Sequence, residues 1–291
     1  MSTPFTAGCV QFTAGPEPEA NLRQVETLVR RARDAGAEFI MTPEASNLIE
    51  SGKRRRDKAR READDPFLAG MRELARELDA WLLLGSLVID PSGEPGAAAG
   101  EERLANRSFL LDSTGGIVAR YDKIHMFDID LPGGESYRES NAYRPGAETV
   151  VAETPWGRLG MSVCYDVRFP HLYRALAQAG ADYLAVPSVF TVPTGQAHWH
   201  VLLRARAIEN GSFVFAPAQW GEHTAGRKSY GHSLIVDPWG EVMADGGEAV
   251  GIVTARIDPA KIAEARGMVP SLTHDRAFTP PALAPRPLAA E

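Results

Sequence analysis

In the stretch "GRLGMSVCYDVRFP", residues 157–170, an apolar run gives way to charge at Cys164. Two other reactive side chains stand at similar places: Glu44 directly after "EFIMTP", and Lys123 at the end of "GIVARYDK". A free cysteine is only a few per cent thiolate at neutral pH, so a cysteine nucleophile needs a base or a neighbouring positive charge. A carboxylate can take the thiol proton during attack and return it to a leaving nitrogen, while an ammonium holds the developing oxyanion. A glutamate, a lysine and a cysteine brought together therefore suit acyl transfer from nitrogen.

The remaining reactive residues suggest less. Cys9, in "FTAGCVQF", reads as a small buried hydrophobe. Two cysteines far apart in 291 residues, with no secretory leader, predict free thiols and a cytoplasmic protein. His198 and His200 in "HWH" invite a metal site, but on a helix they point about 200° apart and cannot chelate one ion as an i, i+4 pair does, so no metal is expected. A Cys–His pair using His125, His171 or His232 is a competing route to an activated thiol; His125 and His232 are expected instead to brace loops. A formal charge of −7 with both signs mixed along the chain argues against nucleic acid as partner. No apolar run approaches the roughly twenty residues needed to span a bilayer, so no membrane is expected either. The basic run "KRRRDKARRE", residues 53–62, lacks aromatics for stacking bases and reads as a solvated face, at most bordering an entrance.

Elements must hold the three groups. "FTAGCVQFTA" reads as a strand, and "NLRQVETLVRRARDAGA" places Leu22, Val25, Leu28, Val29 and Ala32 on one helical face, with Gly36 ending the helix. "EFIMTP" is the next strand. A second amphipathic helix bears Phe67, Leu68, Met71 and Leu74 ahead of the buried-type strand "WLLLGSLVI". After a Gly/Ala/Pro-rich loop at 91–100, "NRSFLLD" and "GIVARYDK" form a hairpin around "STGG"; "TVVAETPWGRLGMSVC" forms another, turning at "TPWG" and closing on Cys164. Helix "HLYRALAQAGA", strand "DYLAVPSVF", helix "AHWHVLLRARAIENG" and strand "SFVFAPAQ" follow, then the hairpin "HSLIVDPWGEVMA" and the strand "GIVTARI". No internal repeat or linker divides the chain, which predicts one domain over 1–278 and a Pro/Ala-rich tail over 279–291. Helices between strands, with hairpins inserted, predict an α/β architecture of two mixed sheets packed together and covered by helices. Glu44, Lys123 and Cys164, all at ends of apolar runs, would then converge on one mouth.

"TPEAS", "YDKIHMFDID" and "VCYDVRFP" resemble the nitrilase or carbon–nitrogen hydrolase superfamily, whose Glu, Lys, Cys triad occurs in that chain order; "PTGQAHWHVLLRARAIEN" and "SYGHSLIVDPWGEV" extend the resemblance. It runs from about residue 5 to about residue 276. It implies a four-layer α-β-β-α sandwich in a single domain, a thioester intermediate, no cofactor, and pairing into a homodimer or higher oligomer. The helix after Cys164 is the expected contact. By position Glu44 matches the general base, Lys123 the oxyanion lysine and Cys164 the nucleophile. The Tyr165 backbone N–H is the second oxyanion donor, and Glu139, in "SYRESNAY", positions Lys123 or the substrate amide.

"CYDVRFP", "TGQAHW" and "SYGHSLIVDPWG" most resemble the branch containing deaminated-glutathione amidase and omega-amidase, and the "PAQWGEHTAGRKSYGHS" series tilts toward the former. The implied substrate is a small carboxylate-bearing amide. Arg168 and Thr194 occupy the places of the branch's carboxylate contacts, and an arginine fork suits a carboxylate. An ion pair of Arg168 with Asp166 or Glu44 is the structural alternative. The segment "ASNLIESGKRRRD" departs from both subgroups and leaves the acyl group open. N-carbamoyl amino acids and nitriles, which use the same triad, are alternative substrates. A silent partner-binding scaffold is the alternative of another kind, and no triad member is missing to favour it.

Overall fold

The computed structural model describes residues 3–94, 102–131 and 134–279. The tail expected over 279–291 therefore lies, Thr279 apart, outside the described residues, as do residues 95–100 of the Gly/Ala/Pro-rich loop. Six strands form one sheet in the order Gly251–Ile257, Phe5–Gln11, Phe39–Met41, Trp81–Ile89, Ala105–Leu111 and Ile117–Asp122. Six more form a second sheet in the order Val242–Asp245, Leu234–Val236, Phe213–Ala216, Tyr183–Ala185, Gly157–Met161 and Val150–Thr154. Three parallel neighbours occupy the middle of each sheet, and antiparallel strands flank them.

Side-chain alternation sets the layers. Along Phe39–Met41, Phe39 and Met41 join the cluster between the sheets, whereas Ile40 joins the cluster beneath the helices Pro18–Asp34 and Pro66–Leu78. Leu83 and its neighbours Leu82 and Leu84 divide the same way, so the apolar run of this strand is explained by burial on both faces. The second sheet is covered by Pro170–Gln178 and Val192–Asn210, whose Leu172, Tyr173, Trp199 and Leu203 are buried on it. This is the expected α-β-β-α order. Trp156, at the hairpin turn of the second sheet, stacks on Phe5 at 4.5 Å and Phe39 at 6.0 Å and so ties the sheets together at one end.

Several expected strands are shorter than their apolar runs. "EFIMTP", "DYLAVPSVF" and "SFVFAPAQ" pair only over Phe39–Met41, Tyr183–Ala185 and Phe213–Ala216. Each is followed within two residues by a proline, Pro43, Pro187 or Pro217, which has no N–H to continue a ladder. The chain leaves the sheet there and becomes free to shape a site. Likewise Cys164 does not close its strand: pairing ends at Met161, and Cys164 opens a 3₁₀ turn, Cys164–Arg168. Two short ribbons absent from the sequence reading, Asp128–Asp130 with Ser136–Arg138 and Trp220–Glu222 with Lys228–Tyr230, stand beside this end of the sandwich.

Gly85 stands where segments from the two sheets pass against one another. The ladder between Trp81–Ile89 and its neighbour shifts register between Leu84 and Leu87, and there Ser86 takes hold of the Glu44 turn: its Oγ accepts from Ala45 N–H at 2.9 Å, and its carbonyl from Ser46 N–H at 3.0 Å. A Cβ on Gly85 would lie 2.0 Å from the Thr42 carbonyl oxygen and 2.4 Å from Pro187 Cβ. Both neighbours lead into active-site segments and neither can yield. Gly85→Ala is therefore expected to cost about 1–3 kcal/mol or more by overpacking, read as a lowered thermal midpoint, and to depress activity further than a stability-matched core variant such as Leu74→Val.

Candidate active site

Glu44, Lys123 and Cys164 meet at the carboxyl ends of strands from both sheets. Lys123 follows Ile117–Asp122 directly and is 2 % exposed, so its ammonium must find acceptors inside the protein. Nζ donates to Glu44 Oε1 at 2.9 Å and to both oxygens of Glu139 at 2.9 and 2.8 Å. Asn106, one strand away, braces the pair through Nδ2, which donates to Glu44 Oε1 at 2.9 Å and to Glu139 Oε1 at 3.2 Å. Phe127 N–H closes the set on Glu139 Oε2 at 2.6 Å. The other oxygen of Glu44 accepts from Val189 N–H at 2.7 Å, which links this carboxylate in one sheet to the loop leaving the other.

Cys164 has a φ of +50°, a left-handed conformation that a β-carbon disfavours, and Ala45, next to Glu44, has a φ of +54°. Strain flanks both reactive groups and must be held by contacts. Cys164 N–H donates to the Pro187 carbonyl at 2.9 Å. Asp166, fully buried, does more. Its Oδ2 accepts from Val163 N–H at 2.8 Å and from the Tyr121 hydroxyl at 2.7 Å, and its Oδ1 accepts from His125 N–H at 3.1 Å and pairs with His125 Nδ1 at 2.7 Å. One carboxylate thus fastens the cysteine turn to the strand and loop that bear Lys123.

Burial opposes charge on Lys123, but the carboxylates of Glu139 and Glu44 outweigh it and raise its pKa well above the ordinary lysine value. Burial also works against ionisation of Glu44, yet Lys123 and Asn106 hold its carboxyl below the ordinary 4.5. The Cys164 thiol is pushed up, by burial first and then by the negative charge of Glu44, with Lys123 offsetting part. The resting site therefore contains a thiol, a carboxylate and an ammonium.

The cavity over these groups, about 220 Å³, admits a small molecule. Glu139 also lines it. Among the described residues none accepts a hydrogen bond from Tyr165 N–H, in the first turn after Cys164, where helical N–H groups are left unpaired. The two expected carboxylate contacts are not brought to this cavity. Arg168 lies over the rings of Phe190 (5.4 Å) and Tyr165 (5.8 Å), with both Nη atoms 3.3 Å from His198 Nδ1. Its alternative partner, Asp166, is taken by His125. Thr194 is buried, and its hydroxyl meets that of Thr191 at 2.7 Å. Arg55, from the basic run, does line the cavity. His200 turns away from His198 to Asp245, and with His232 these make the one group of three potential metal ligands among the described residues, outside the cavity. The sequence reading gave no site role to Asn106, Asp166 or Arg227, naming Asp166 only as a possible partner of Arg168 and Arg227 only within a quoted series; the polar Asn106 at the start of an apolar strand gave a local signal.

The comparisons fit this geometry. The family described as carbon–nitrogen hydrolase matches residues 6–267. A deaminated glutathione amidase of Yersinia enterocolitica is 40% identical over 268 residues, covering 92% of this chain and 91% of its own. The crystal structure of the Caenorhabditis elegans nitrilase and fragile histidine triad fusion protein NitFhit superposes with a TM-score of 0.86 at 39% identity, over 95% of this chain and 66% of that one. In a glutamate-to-glutamine variant of the amidase from Nesterenkonia sp. AN1 (TM-score 0.76, 26% identity, 94% of each chain), the acetamide moiety of fluoroacetamide is added covalently at the active-site cysteine. By sequence match over most of its length and by its fold, the chain belongs to the carbon–nitrogen hydrolase family.

Proposed function

We propose that this protein is an amidase that hydrolyses a small carboxylate-bearing amide, of the deaminated glutathione or keto-acid omega-amide kind, through a thioester on Cys164. The observation that carries the reaction is the convergence of Cys164, Glu44 and Lys123 in one cavity, with the ammonium held between two carboxylates. The substrate class is supported by the 40% identity to a protein named for deaminated glutathione.

The charges dictate the order of proton transfers. Glu44, Glu139 and Lys123 together carry one net negative charge, and a preformed thiolate would add a second in a buried site. Moving the thiol proton to Glu44 as Sγ attacks the amide carbon leaves the count unchanged. The oxygen of the tetrahedral intermediate takes its charge facing Lys123 Nζ and Tyr165 N–H. On collapse the C–N bond breaks, and Glu44 gives its proton to the leaving nitrogen, which departs as ammonia or an amine. Water then loses a proton to Glu44 and attacks the thioester; the acid leaves, and the thiol regains its proton from Glu44. Glu139 and Asn106 hold Lys123 and Glu44 in register throughout and act as positioning residues.

We also place the protein in the cytoplasm as a homodimer. Two buried free cysteines agree with a reducing compartment. Exposed Val201, Ile208, Trp239, Met268 and Val269 provide an apolar face, whereas the exposed side of Pro170–Gln178, the expected contact, offers only Pro170, His171, Ala175 and Gln178. Light scattering should report a dimer that Ile208→Glu converts to monomer; a monomeric wild-type protein at micromolar concentration would remove this part.

Cys164→Ala should reduce ammonia release to below about 1% with an unchanged circular dichroism spectrum, and retention of a larger rate would remove the nucleophile assignment. The acid limb of kcat/KM provides an independent check. The base must be ionised, and its carboxyl is held below 4.5, so kcat/KM should stay flat as pH falls from 8 to 5 and decline only beneath the ordinary carboxylate range. A limb centred between pH 6 and 7 would point to a histidine base.

A further inference from the structure

A floor with one net negative charge repels an anionic substrate, so a carboxylate-bearing amide needs cationic walls. Three arginines supply them: Arg55, Arg138 and Arg227. Arg138 is already neutralised, with Nη2 at 2.9 Å from both oxygens of Asp130. The other two have no acidic partner among the described residues. Arg227 donates from Nη2 to the Val189 carbonyl at 3.2 Å and lies 5.4 Å over the Tyr137 ring, while its buried Nε has no hydrogen-bond partner. Arg55 donates from Nε to the Glu50 carbonyl at 2.7 Å and lies 5.1 Å over the Tyr143 ring. Of the cavity's carboxylates, Glu44 and Glu139 are engaged by Lys123, and Glu50 is occupied by Ser51 N–H at 2.8 Å, with Lys58 Nζ at 3.9 Å.

These groups share a focus. The Tyr143 hydroxyl makes no hydrogen bond to a described residue; burial pushes its phenol up, Arg55 pulls it back, the carboxylates of Glu139 and Glu44 push it up further, and Arg227 again pulls it back. A buried guanidinium N–H without an acceptor is costly, and a ligand oxygen would satisfy it. Val189 fixes the register, since its carbonyl holds Arg227 and its N–H holds Glu44 Oε2 at 2.7 Å.

We propose that Arg227 and Arg55, with the Tyr143 hydroxyl, form an anion subsite that binds the substrate's distal carboxylate while its amide lies over Cys164. This rests on the carboxylate-amide reading above and uses cations that line the cavity, which Arg168 does not. The guanidinium fork matches a carboxylate in a way a lysine cannot.

The test compares kcat/KM for glutaric monoamide, which bears a carboxylate, with that for the neutral diamide. The monoamide-to-diamide ratio should fall roughly ten- to a hundredfold in Arg227→Gln, chiefly through KM, and by a similar order in Arg55→Gln. Arg227→Lys should recover part, and Arg138→Gln should keep the ratio within about threefold. A ratio preserved in both glutamine variants, or an equal fall in Arg138→Gln, overturns the subsite. Calorimetric binding of glutarate to Cys164→Ala separates the two readings. If wild-type enzyme shows no preference for the monoamide, the substrate class fails. Glutarate binding that Arg227→Gln weakens at least tenfold would still sustain the subsite, and absence of glutarate binding would sink it.

Discussion

A lysine ammonium taken almost wholly out of water has to be surrounded by acceptors, and at Lys123 that requirement shapes the whole active end of the molecule. Its three close oxygens come from Glu44, after a central strand of the first sheet, and from Glu139, in a 3₁₀ turn beyond a surface ribbon. Glu139 lies 16 residues from Lys123 but Glu44 lies 79 away, so the full cluster forms only when the first sheet is assembled. Val189 N–H on Glu44 then extends the same constraint to the second sheet. The charge we propose to stabilise an oxyanion is thus also tied to the way the two sheets come together.

The second sheet answers with Asp166. A cysteine at positive φ is not a conformation its own backbone favours, and the buried Asp166 carboxylate holds that turn by bonds to Val163, Tyr121 and His125. His125 is itself stacked on Phe169 with ring centroids 3.5 Å apart, so the turn after the cysteine is packed as well as hydrogen-bonded. Gly85 supplies the remaining condition, an absent side chain where the Glu44 and Pro187 segments pass one another.

How much of this was legible beforehand follows from the range of each interaction. Glu44, Lys123 and Cys164 could be read because each stands where an apolar run stops, a local pattern that marks the end of a buried strand. Strand lengths were overread where Pro43, Pro187 and Pro217 end pairing, although that signal was also local. Asp166 and Asn106 could not be assigned, since their partners are fixed by sheet order: Tyr121 lies 45 residues from Asp166, and Glu44 lies 62 from Asn106. Arg168 shows the converse. The resemblance implied a place in the pocket for it, but the 3₁₀ turn carries it onto Phe190 and His198, while Arg227, 63 residues past the cysteine, arrives at the cavity from the loop just before the ribbon strand Lys228–Tyr230.

The central claim is that the amide's acyl group passes through Cys164 with Glu44 moving the protons. Slowing Glu44 without removing the thiol should let the acyl-enzyme accumulate, so the most direct measurement is peptide mass spectrometry of Glu44→Gln after incubation with a hydrolysable amide. The account predicts a mass increase equal to the acyl group on the peptide containing Cys164, removed by hydroxylamine. Consumption of the amide with no adduct on that peptide, or an adduct on another residue, would contradict it.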